Sequence, residues 1–356
     1  MTAIASSREV WRIDRAGALD RLTRRTEPID PPVGDEVRVA VKTIGLNFAD
    51  IFACLGLYSA TPSGSFIPGL EFAGVVEALG PEARGVCVGD RVVGLTRFGG
   101  YVTAINAPTT VLRPVRDGWS FAEAAAYPVQ GLTAWYGLVT LGAVERGDVV
   151  LVQSAAGGVG LHALAILGAM GARVIAVVGS AEKREWLARE RGIDPAAIVV
   201  REAATFASSL DRALAAIGAD GFDLVFDAVS GPYFQPAFAR LRPEGRHVIY
   251  GAADFMTSGA RRNWWHLAVG YLRRPRVDPL QMISDNRSVM GFNLIWLWNK
   301  AHELGAYGDA LDRVIAAPPL VSRRFDFADM PKAMRHLQSG RSIGKVVVEI
   351  AISAGD

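Results

Sequence analysis

The chain has 356 residues, 50% of them hydrophobic and 21% charged, and this length favours two domains over a single core. A net charge of +2 without a basic stripe gives no reason to expect a nucleic-acid partner. The only cysteines, Cys54 and Cys87, exclude a disulfide scaffold and a four-cysteine zinc site, and they fit a reducing compartment.

The N-terminal sequence and the most apolar window both argue against membrane insertion. Residues 1–20 contain no apolar run typical of a secretory signal, so a cytoplasmic location is expected. Residues 163–179 form the most apolar long window, but Gly171 and Arg173 interrupt it, and it is shorter than the ~20 residues that span a bilayer. This window is therefore predicted to be a buried helix, a turn and a buried strand.

The order of predicted elements divides the chain into two kinds of structure. Up to about residue 125, short strand-like runs are separated by Gly, Pro and Asp, which is typical of an all-β, partly barrel-like domain. Strands and helices then alternate, which predicts a Rossmann-type, doubly wound parallel sheet over residues 126–292. The predicted strands are 149–153, 173–179, 197–200, 222–229 and 246–251, and the predicted helices are 160–171, 182–192, 206–218 and one near 232–241.

A helix-rich stretch after residue 293 and a final strand at 345–350 are expected to return the chain to the first domain. The prediction is thus a mostly-β domain formed by residues 1–125 and 293–356, with residues 126–292 forming the other domain.

A glycine-rich turn between the first strand and helix of the βαβ unit predicts a dinucleotide site. Ala155, Gly157 and Gly160 match the pattern G-x-G-x-x-G with Ala in the first position. Missing side chains let the backbone approach a pyrophosphate, and the helix N-terminus offers free N–H groups to the anion. The predicted contacts are Ala156, Gly157, Gly158, Val159 and Gly160. The alternative is a glycine turn that holds no ligand.

The end of the second strand indicates which dinucleotide is bound. NAD sites usually carry an acid there, but this sequence has Gly179 and Ser180, followed by Lys183 and Arg184. A hydroxyl and a cation suit the 2′-phosphate of NADPH, whereas the nearby Glu182 can point away from the ligand. We therefore expect NADPH, bound with the help of Ser180 and Lys183. Alternatively, the basic residues form only a solvated helix face.

Several motifs together resemble one enzyme family. They are AAGGVG at 155–160, GLTAW at 131–135, GLNFADIFACLGLYS at 45–59, IPGLEFAGVVEALG at 67–80 and SGRSIGKVVVEI at 339–350. This set resembles the medium-chain dehydrogenase/reductase superfamily, within it the zinc-independent quinone oxidoreductase branch and its vesicle-amine-transport-like members. The resemblance implies a GroES-like, mostly-β catalytic domain and a homodimer joined near Ser288–Phe292.

The zinc-binding relatives in this superfamily use a Cys and a Gly-His-Glu motif as metal ligands. Asn47 stands at the Cys position and Leu70 at the His position, and leucine cannot bind a metal ion. No metal is therefore expected. Without a Lewis acid, the hydride acceptor must already be electrophilic, as quinones and α,β-unsaturated carbonyls are.

The resemblance also suggests catalytic residues in the segment around Asn47. Tyr58 is expected to hydrogen-bond the substrate carbonyl or to donate a proton, and Asn47 is expected to orient the ribose or the carbonyl. Asp50 belongs to the same group, although bracing of the local backbone is its more natural role. The alternative for Tyr58 is a partly buried aromatic residue with a backbone partner. Thr133 resembles the threonine that contacts the nicotinamide ribose.

Further cofactor contacts are expected from residues far apart in the sequence. Gly251 ends a predicted strand where a bulky side chain would block the dinucleotide, and Phe292 and Asn293 follow the last strand of that domain. Lys345 resembles a cation that reaches the cofactor phosphates from the other domain. A purely structural role at the start of a strand is equally compatible with Lys345.

Residues 261–276 form a basic and aromatic segment in which five arginines bracket Trp264, Trp265 and Tyr271. Such a segment suits weak peripheral contact with an anionic membrane. A lid over the substrate cleft or a dimer contact is the alternative.

The sequence therefore predicts an NADPH-dependent, metal-free oxidoreductase that acts on a quinone or enone. The alternatives are an enoyl-thioester reductase and an NADPH-binding adaptor protein without turnover that contacts a membrane.

Overall fold

Two large sheets organise the protein in the computed structural model, which describes residues 6–257 and 259–351. One sheet is mostly antiparallel and the other is fully parallel, so the predicted combination of a GroES-like domain with a Rossmann-type domain is confirmed. The first five and last five residues of the predicted catalytic domain lie outside the described residues.

The mostly antiparallel sheet has the strand order β14-β15-β3-β4-β5-β7, with β6 paired to β3, and a hairpin of β1 and β2 lies beside it. The strands are β1 Ser7–Ile13, β2 Leu22–Pro28, β3 Glu36–Gly45, β4 Glu71–Leu79, β5 Arg91–Leu95, β6 Ala104–Pro108, β7 Leu112–Pro114, β14 Val321–Asp326 and β15 Lys345–Glu349. Helices α1 Phe48–Cys54, α2 Phe121–Ala124 and α11 Met330–Gln338 accompany this sheet. Its hydrophobic core includes Ile44 and Phe72, both completely buried.

The parallel sheet has the order β10-β9-β8-β11-β12-β13, which is the Rossmann arrangement 3-2-1-4-5-6. Its strands are β8 Val149–Gln153, β9 Arg173–Val178, β10 Ile198–Val200, β11 Phe222–Asp227, β12 Leu241–Ile249 and β13 Ser288–Gly291. The helices in this part of the chain are α3 Pro128–Trp135, α4 Gly158–Met170, α5 Ala181–Arg191, α6 Phe206–Ala216, α7 Phe234–Phe238, α8 Trp264–Leu272 and α9 Pro279–Asp285.

The central strand β8 shows that both faces of this sheet are covered. Val150 and Val152 pack into one hydrophobic core, whereas Val149 and Leu151 pack into a second core on the opposite face. Because both faces are buried, the strand is a continuous apolar run rather than an alternating one. This is the pattern from which the strand was predicted.

The chain returns to the first sheet after α10 Ala301–Val314, because β15 pairs antiparallel with β3 and opposes Val347 to Gly45. The amide of Gly344, just before β15, donates to the carbonyl of Ala156 at 2.9 Å. This bond joins the C-terminal segment to the glycine turn of the parallel sheet. The boundaries at 125/126 and 292/293 stay a prediction.

The basic and aromatic segment forms α8, a helix without any buried residue. Trp264 is 66% exposed and Trp265 is 80% exposed. Within the described residues, none of the helices combines the length and the apolar character that a bilayer crossing requires.

Candidate functional site

A cleft of about 1140 Å³ lies between the two sheets and is lined by residues of both. Most of the predicted site residues border it, which brings together positions more than 200 residues apart. Those that line the cleft are Asn47, Tyr58, Thr133, Ala156, Gly157, Gly158, Val159, Gly160, Lys183, Gly251, Phe292 and Asn293. Three predicted residues, Asp50, Ser180 and Lys345, do not line it.

The glycine turn between β8 and α4 has no room for side chains. A Cβ added at Gly160 would lie 2.4 Å from the carbonyl oxygen of Ser154, and one at Gly158 would lie 1.8 Å from Oε1 of Gln130. Gly157 is the N-cap of α4 and lies in extended conformation. The turn therefore exposes bare backbone, and the first N–H groups of α4 have no partner within the helix.

This turn fits the pyrophosphate of a dinucleotide. The residues that begin α4 line the cleft, so the positive end of the helix dipole lies at its wall. Oε1 of Gln130, buried against the same turn, has no hydrogen-bond partner among the described residues. A ligand hydroxyl or amide would satisfy this acceptor, because a buried unpaired acceptor is costly.

The C-terminal ends of β9 and β10 place two cations at the far end of the cleft. Lys183 and Arg201 both line it, beside Gly179. Burial lowers the pKa of each cation, and the neighbouring positive charge of Arg201 lowers the pKa of Lys183 further. Their mutual repulsion makes an anionic group between them favourable. Glu182 is exposed and does not line the cleft.

Sequence reasoning missed Arg201, which lines the cleft, whereas the predicted Ser180 does not line it. The Ser180 hydroxyl accepts from the amide of Lys183 at 3.4 Å and caps α5. Arg201 follows β10 directly, and β10 is the neighbour of β9 in the sheet. A cation at the end of the third strand is the sequence signal that could have identified it.

The two predicted residues Tyr58 and Asn293 meet across the cleft. The Tyr58 hydroxyl donates to Oδ1 of Asn293 at 2.6 Å, although 235 residues separate them. Burial is the main cause that raises the pKa of Tyr58 to about 12, so the phenol stays protonated at neutral pH. Tyr58 is therefore a hydrogen-bond donor on the cleft wall.

A buried polar cluster holds Asn47 from behind. Its Oδ1 accepts from Nζ of Lys345 at 2.8 Å, and its Nδ2 donates to Oε1 of Glu71 at 2.8 Å. Lys345 also pairs directly with Glu71, and the exposed fractions of their side chains are 1% and 0%. The second carboxylate oxygen of Glu71 accepts from the amide of Val129 in the first turn of α3.

The expected contact of Lys345 with cofactor phosphates is corrected by this geometry. The ammonium group lies behind Asn47, paired with Glu71, and it does not reach the cleft. The cluster fixes which way the Asn47 amide points. Lys345 thus acts on the site through Asn47.

Asp50 braces the local backbone, which is the structural role considered for it from the sequence. Its Oδ2 accepts from the amide of Asn47 at 2.8 Å and from the Tyr101 hydroxyl at 3.0 Å. Asp50 is fully buried and does not line the cleft, so its grouping with catalytic residues is corrected. Burial is the main cause that raises the pKa of Asp50 to about 7.

The remaining predicted contacts lie along the cleft wall. The Thr133 hydroxyl donates to the carbonyl of Val129 at 2.6 Å, which leaves its lone pairs free to accept from a ligand. A Cβ at Gly251 would lie 2.7 Å from the carbonyl oxygen of Ala228, so this glycine is required by the backbone itself. Phe292 packs edge-on against Tyr136.

The two positions that hold zinc ligands in the zinc-binding relatives are occupied here by Asn47 and Leu70, not by Cys and His. Asn47 and Leu70 both border the cleft. Within residues 6–257 and 259–351, no group of three or more His, Cys, Asp or Glu side chains is placed to hold a metal ion.

Comparisons with known proteins agree with this architecture. Residues 34–134 match the alcohol dehydrogenase GroES-like domain family, and residues 196–348 match the zinc-binding dehydrogenase family. The chain is 32% identical over 338 residues to the synaptic vesicle membrane protein VAT-1 homolog of Danio rerio, covering 93% of this chain and 68% of that protein.

Two solved structures are similar over nearly the whole chain. The mycobacterial protein Rv1454c complexed with NADPH superposes with a TM-score of 0.80 at 28% identity, covering 96% of this chain and 99% of that one. A quinone oxidoreductase of Pseudomonas syringae superposes with a TM-score of 0.77 at 28% identity and the same coverage. The chain therefore belongs to the zinc-independent medium-chain dehydrogenase/reductase superfamily of NAD(P)-binding oxidoreductases, in the quinone oxidoreductase branch that contains the VAT-1-like proteins.

Proposed function

We propose that the protein is an NADPH-dependent reductase that delivers hydride to a quinone or an α,β-unsaturated carbonyl without a metal ion. The observation that carries this proposal is the single cleft that joins the glycine turn to the protonated Tyr58 hydroxyl. The similar structure of a quinone oxidoreductase supports a quinone as the acceptor, and the similar structure complexed with NADPH supports NADPH as the cofactor.

The residues of the cleft divide the work between binding and proton supply. Gly157, Gly158 and the first turn of α4 would hold the pyrophosphate, while Lys183 and Arg201 would hold the 2′-phosphate. The nicotinamide supplies the hydride when it is bound. The single O–H of Tyr58, which donates to Oδ1 of Asn293 in the free protein, would turn to the acceptor oxygen and stabilise the negative charge that develops there.

Replacing Tyr58 by Phe tests this chemistry. We expect kcat for a benzoquinone to fall about 100-fold, because the oxygen loses its proton donor, while the Kd for NADPH changes little. Tyr271→Phe is the matched control, since Tyr271 lies on the exposed α8. Steady-state loss of NADPH absorbance measures kcat, and unchanged turnover in Tyr58→Phe would refute the assignment.

Replacing Arg201 by Met tests the cofactor preference. Loss of one charge-assisted bond to the 2′-phosphate should weaken NADPH binding about 10- to 100-fold and leave NADH binding unchanged. Arg184→Met is the control, because Arg184 is exposed and its Nη2 donates to the carbonyl of Pro195 at 2.9 Å. Equal losses for both cofactors would contradict the assignment.

A second candidate function is peripheral membrane contact through α8. It is favoured by the exposed Trp264 and Trp265 and by the arginines that flank them, because Trp and Arg suit the interface of an anionic bilayer. Sedimentation with phosphatidylserine vesicles should show binding that is lost in Trp264→Ser/Trp265→Ser. An adaptor protein without turnover would bind vesicles and NADPH but reduce no acceptor.

We also propose a homodimer joined at β13, the edge strand of the parallel sheet. Its outer edge offers unpaired backbone groups to a second copy. Light scattering should give twice the mass of the 38.1 kDa chain, and Val289→Pro, which removes an outward-facing N–H, should give the monomer.

Reduction of an enoyl thioester uses the same hydride chemistry and remains the alternative activity. Comparing an enoyl-CoA with the corresponding free enone under identical conditions separates the two substrate classes. A kcat/KM that is higher for the thioester would replace the quinone proposal.

A further inference from the structure

A second cavity, which we call the side cavity, lies between α10 and the strands β5 and β7. Its volume is about 130 Å³, and its wall is mainly apolar. The apolar wall includes Val93, Leu112, Leu132 and Leu311. Its charged groups are already paired, because Nη2 of Arg113 contacts Asp309 at 2.6 Å and Asp312 at 2.8 Å. The interior therefore offers apolar surface and no free charge.

The side cavity adjoins the main cleft. Leu95, Trp298 and Leu304 line both spaces. Trp298 belongs to the helical turn Leu294–Lys300, which follows directly after Asn293, the partner of Tyr58. These three side chains form the boundary that a ligand with its polar end at Tyr58 would pass to enter the side cavity.

We propose that the side cavity is a subsite for the apolar substituent of the substrate. This inference rests on the proposed reductase function and adds a selection rule to it. The substrate is a quinone or enone that carries a branched alkyl or aryl group near the carbonyl. An apolar cavity of about 150 Å³ is large enough for benzene, so the side cavity holds a group of about five or six carbons.

The size of the side cavity sets a limit on the gain from longer substituents. Each methylene buried in it should raise kcat/KM about fourfold, by removal of apolar surface from water. The increase should stop at about five or six carbons, where the cavity is full. A substituent that only partitions into the open cleft would show no such break.

The opposite walls of the side cavity provide two independent filling variants. A Cβ at Gly305 in α10 meets no atom within 4 Å, so Gly305→Leu adds volume without a clash. Val111 lies on the other wall and is half-buried, so Val111→Phe fills the same space from the side of β7. Gly305→Ala is the matched control, because it changes the helix backbone in the same way but adds only one methyl group.

The experiment uses a series of 2-alkyl-1,4-benzoquinones from methyl to decyl with the wild-type chain and these variants. Two quantities are measured: kcat/KM with NADPH, and Kd in the presence of NADP⁺ from quenching of tryptophan fluorescence. We expect both to improve with chain length up to about pentyl in the wild type. Both filling variants should lose at least tenfold for the pentyl compound and less than twofold for the methyl compound.

The outcomes separate the subsite from the reductase function. One outcome is that the wild type reduces no quinone, but its Kd improves up to about five or six carbons and then stops improving, and both filling variants abolish this dependence on chain length. The subsite then stands and the proposed function fails. If the methyl compound is reduced but neither kcat/KM nor Kd depends on chain length, the subsite is overturned and the function stands. A steady improvement through decyl, or filling variants that bind the pentyl compound as tightly as Gly305→Ala does, would also overturn the subsite.

Discussion

Replacing Lys345 by Met should destabilise the protein strongly and leave cofactor affinity nearly unchanged. Met has a similar length but no charge, so the variant leaves the Glu71 carboxylate buried without its cation. Removing one partner of a buried ion pair costs about 3–5 kcal/mol. For a domain of this size, 1 kcal/mol corresponds to roughly 2–4 °C in Tm, so Tm should fall by roughly 10 °C.

The double variant Lys345→Met/Glu71→Gln tests the cause. Gln at position 71 removes the uncompensated charge and keeps an acceptor for the amide of Val129. We therefore expect it to recover at least 2 kcal/mol of the loss, measured from urea unfolding midpoints and thermal scans. Lys332→Met is the control, because its ion pair with Asp329 is exposed and contributes at most about 1 kcal/mol.

A specific pattern would refute this reasoning. If Lys345→Met kept its Tm within about 2 °C and lost tenfold or more in NADPH affinity, Lys345 would be a phosphate ligand, as the sequence resemblance implied. Because the ammonium group is 1% exposed and lies behind Asn47, we expect titration calorimetry to give a Kd within about threefold of the wild type.

Two further substitutions test the framework of the site. The raised pKa of Asp50, about 7 against an ordinary value of 3.8, means that the native state retains a proton that the unfolded chain has lost, so stability falls as pH rises from about 4 to 8. Asp50→Asn removes this contribution. Over that pH range, the free energy of unfolding of the wild type, measured by urea titration, should therefore fall by up to about 4 kcal/mol relative to that of the variant. Parallel pH profiles of the two proteins would contradict the burial argument. Gly160→Ala should lower Tm and abolish NADPH binding, because its Cβ would lie 2.4 Å from the Ser154 carbonyl oxygen. Gly168→Ala in the same helix is the control. Its Cβ has open space, so it should stabilise the chain by about 0.5–1 kcal/mol. Equal effects of the two alanines in thermal scans and calorimetry would show that the turn has no steric requirement.

Much of the parallel sheet could be predicted because its local signals agree with one another. Val149–Gln153 is an uninterrupted apolar strand, and the glycines after it can belong only to a turn or a helix start. The predicted strand at 246–251 differs from β12, Leu241–Ile249, which begins five residues earlier. Glu244 adopts a positive φ of 68° inside this strand, an irregularity that hid its first half in the sequence.

The partners across the site could not be predicted, because sequence separation hides contacts that the sheet order creates. Asn47, Glu71 and Lys345 each stood in a recognisable motif, yet their cluster depends on β15 pairing with β3, some 300 residues away. Arg201 becomes a cofactor candidate only when β10 is known to lie beside β9. The sequence therefore identified most of the cleft lining, but it also placed Asp50, Ser180 and Lys345 at the site, and these three do not line the cleft.

The buried cluster also bears on the choice of substrate. The positions that would supply metal ligands in the zinc-binding relatives hold Asn47 and Leu70, and the ammonium group of Lys345 donates to Oδ1 of Asn47 at 2.8 Å. That charge is neutralised by Glu71, so the pair has no net charge with which to stabilise an alkoxide in the cleft. An acceptor that spreads negative charge over a conjugated system needs only a single donor such as Tyr58. The proposed function therefore leads us to expect a far lower kcat/KM for a saturated ketone than for the matching enone.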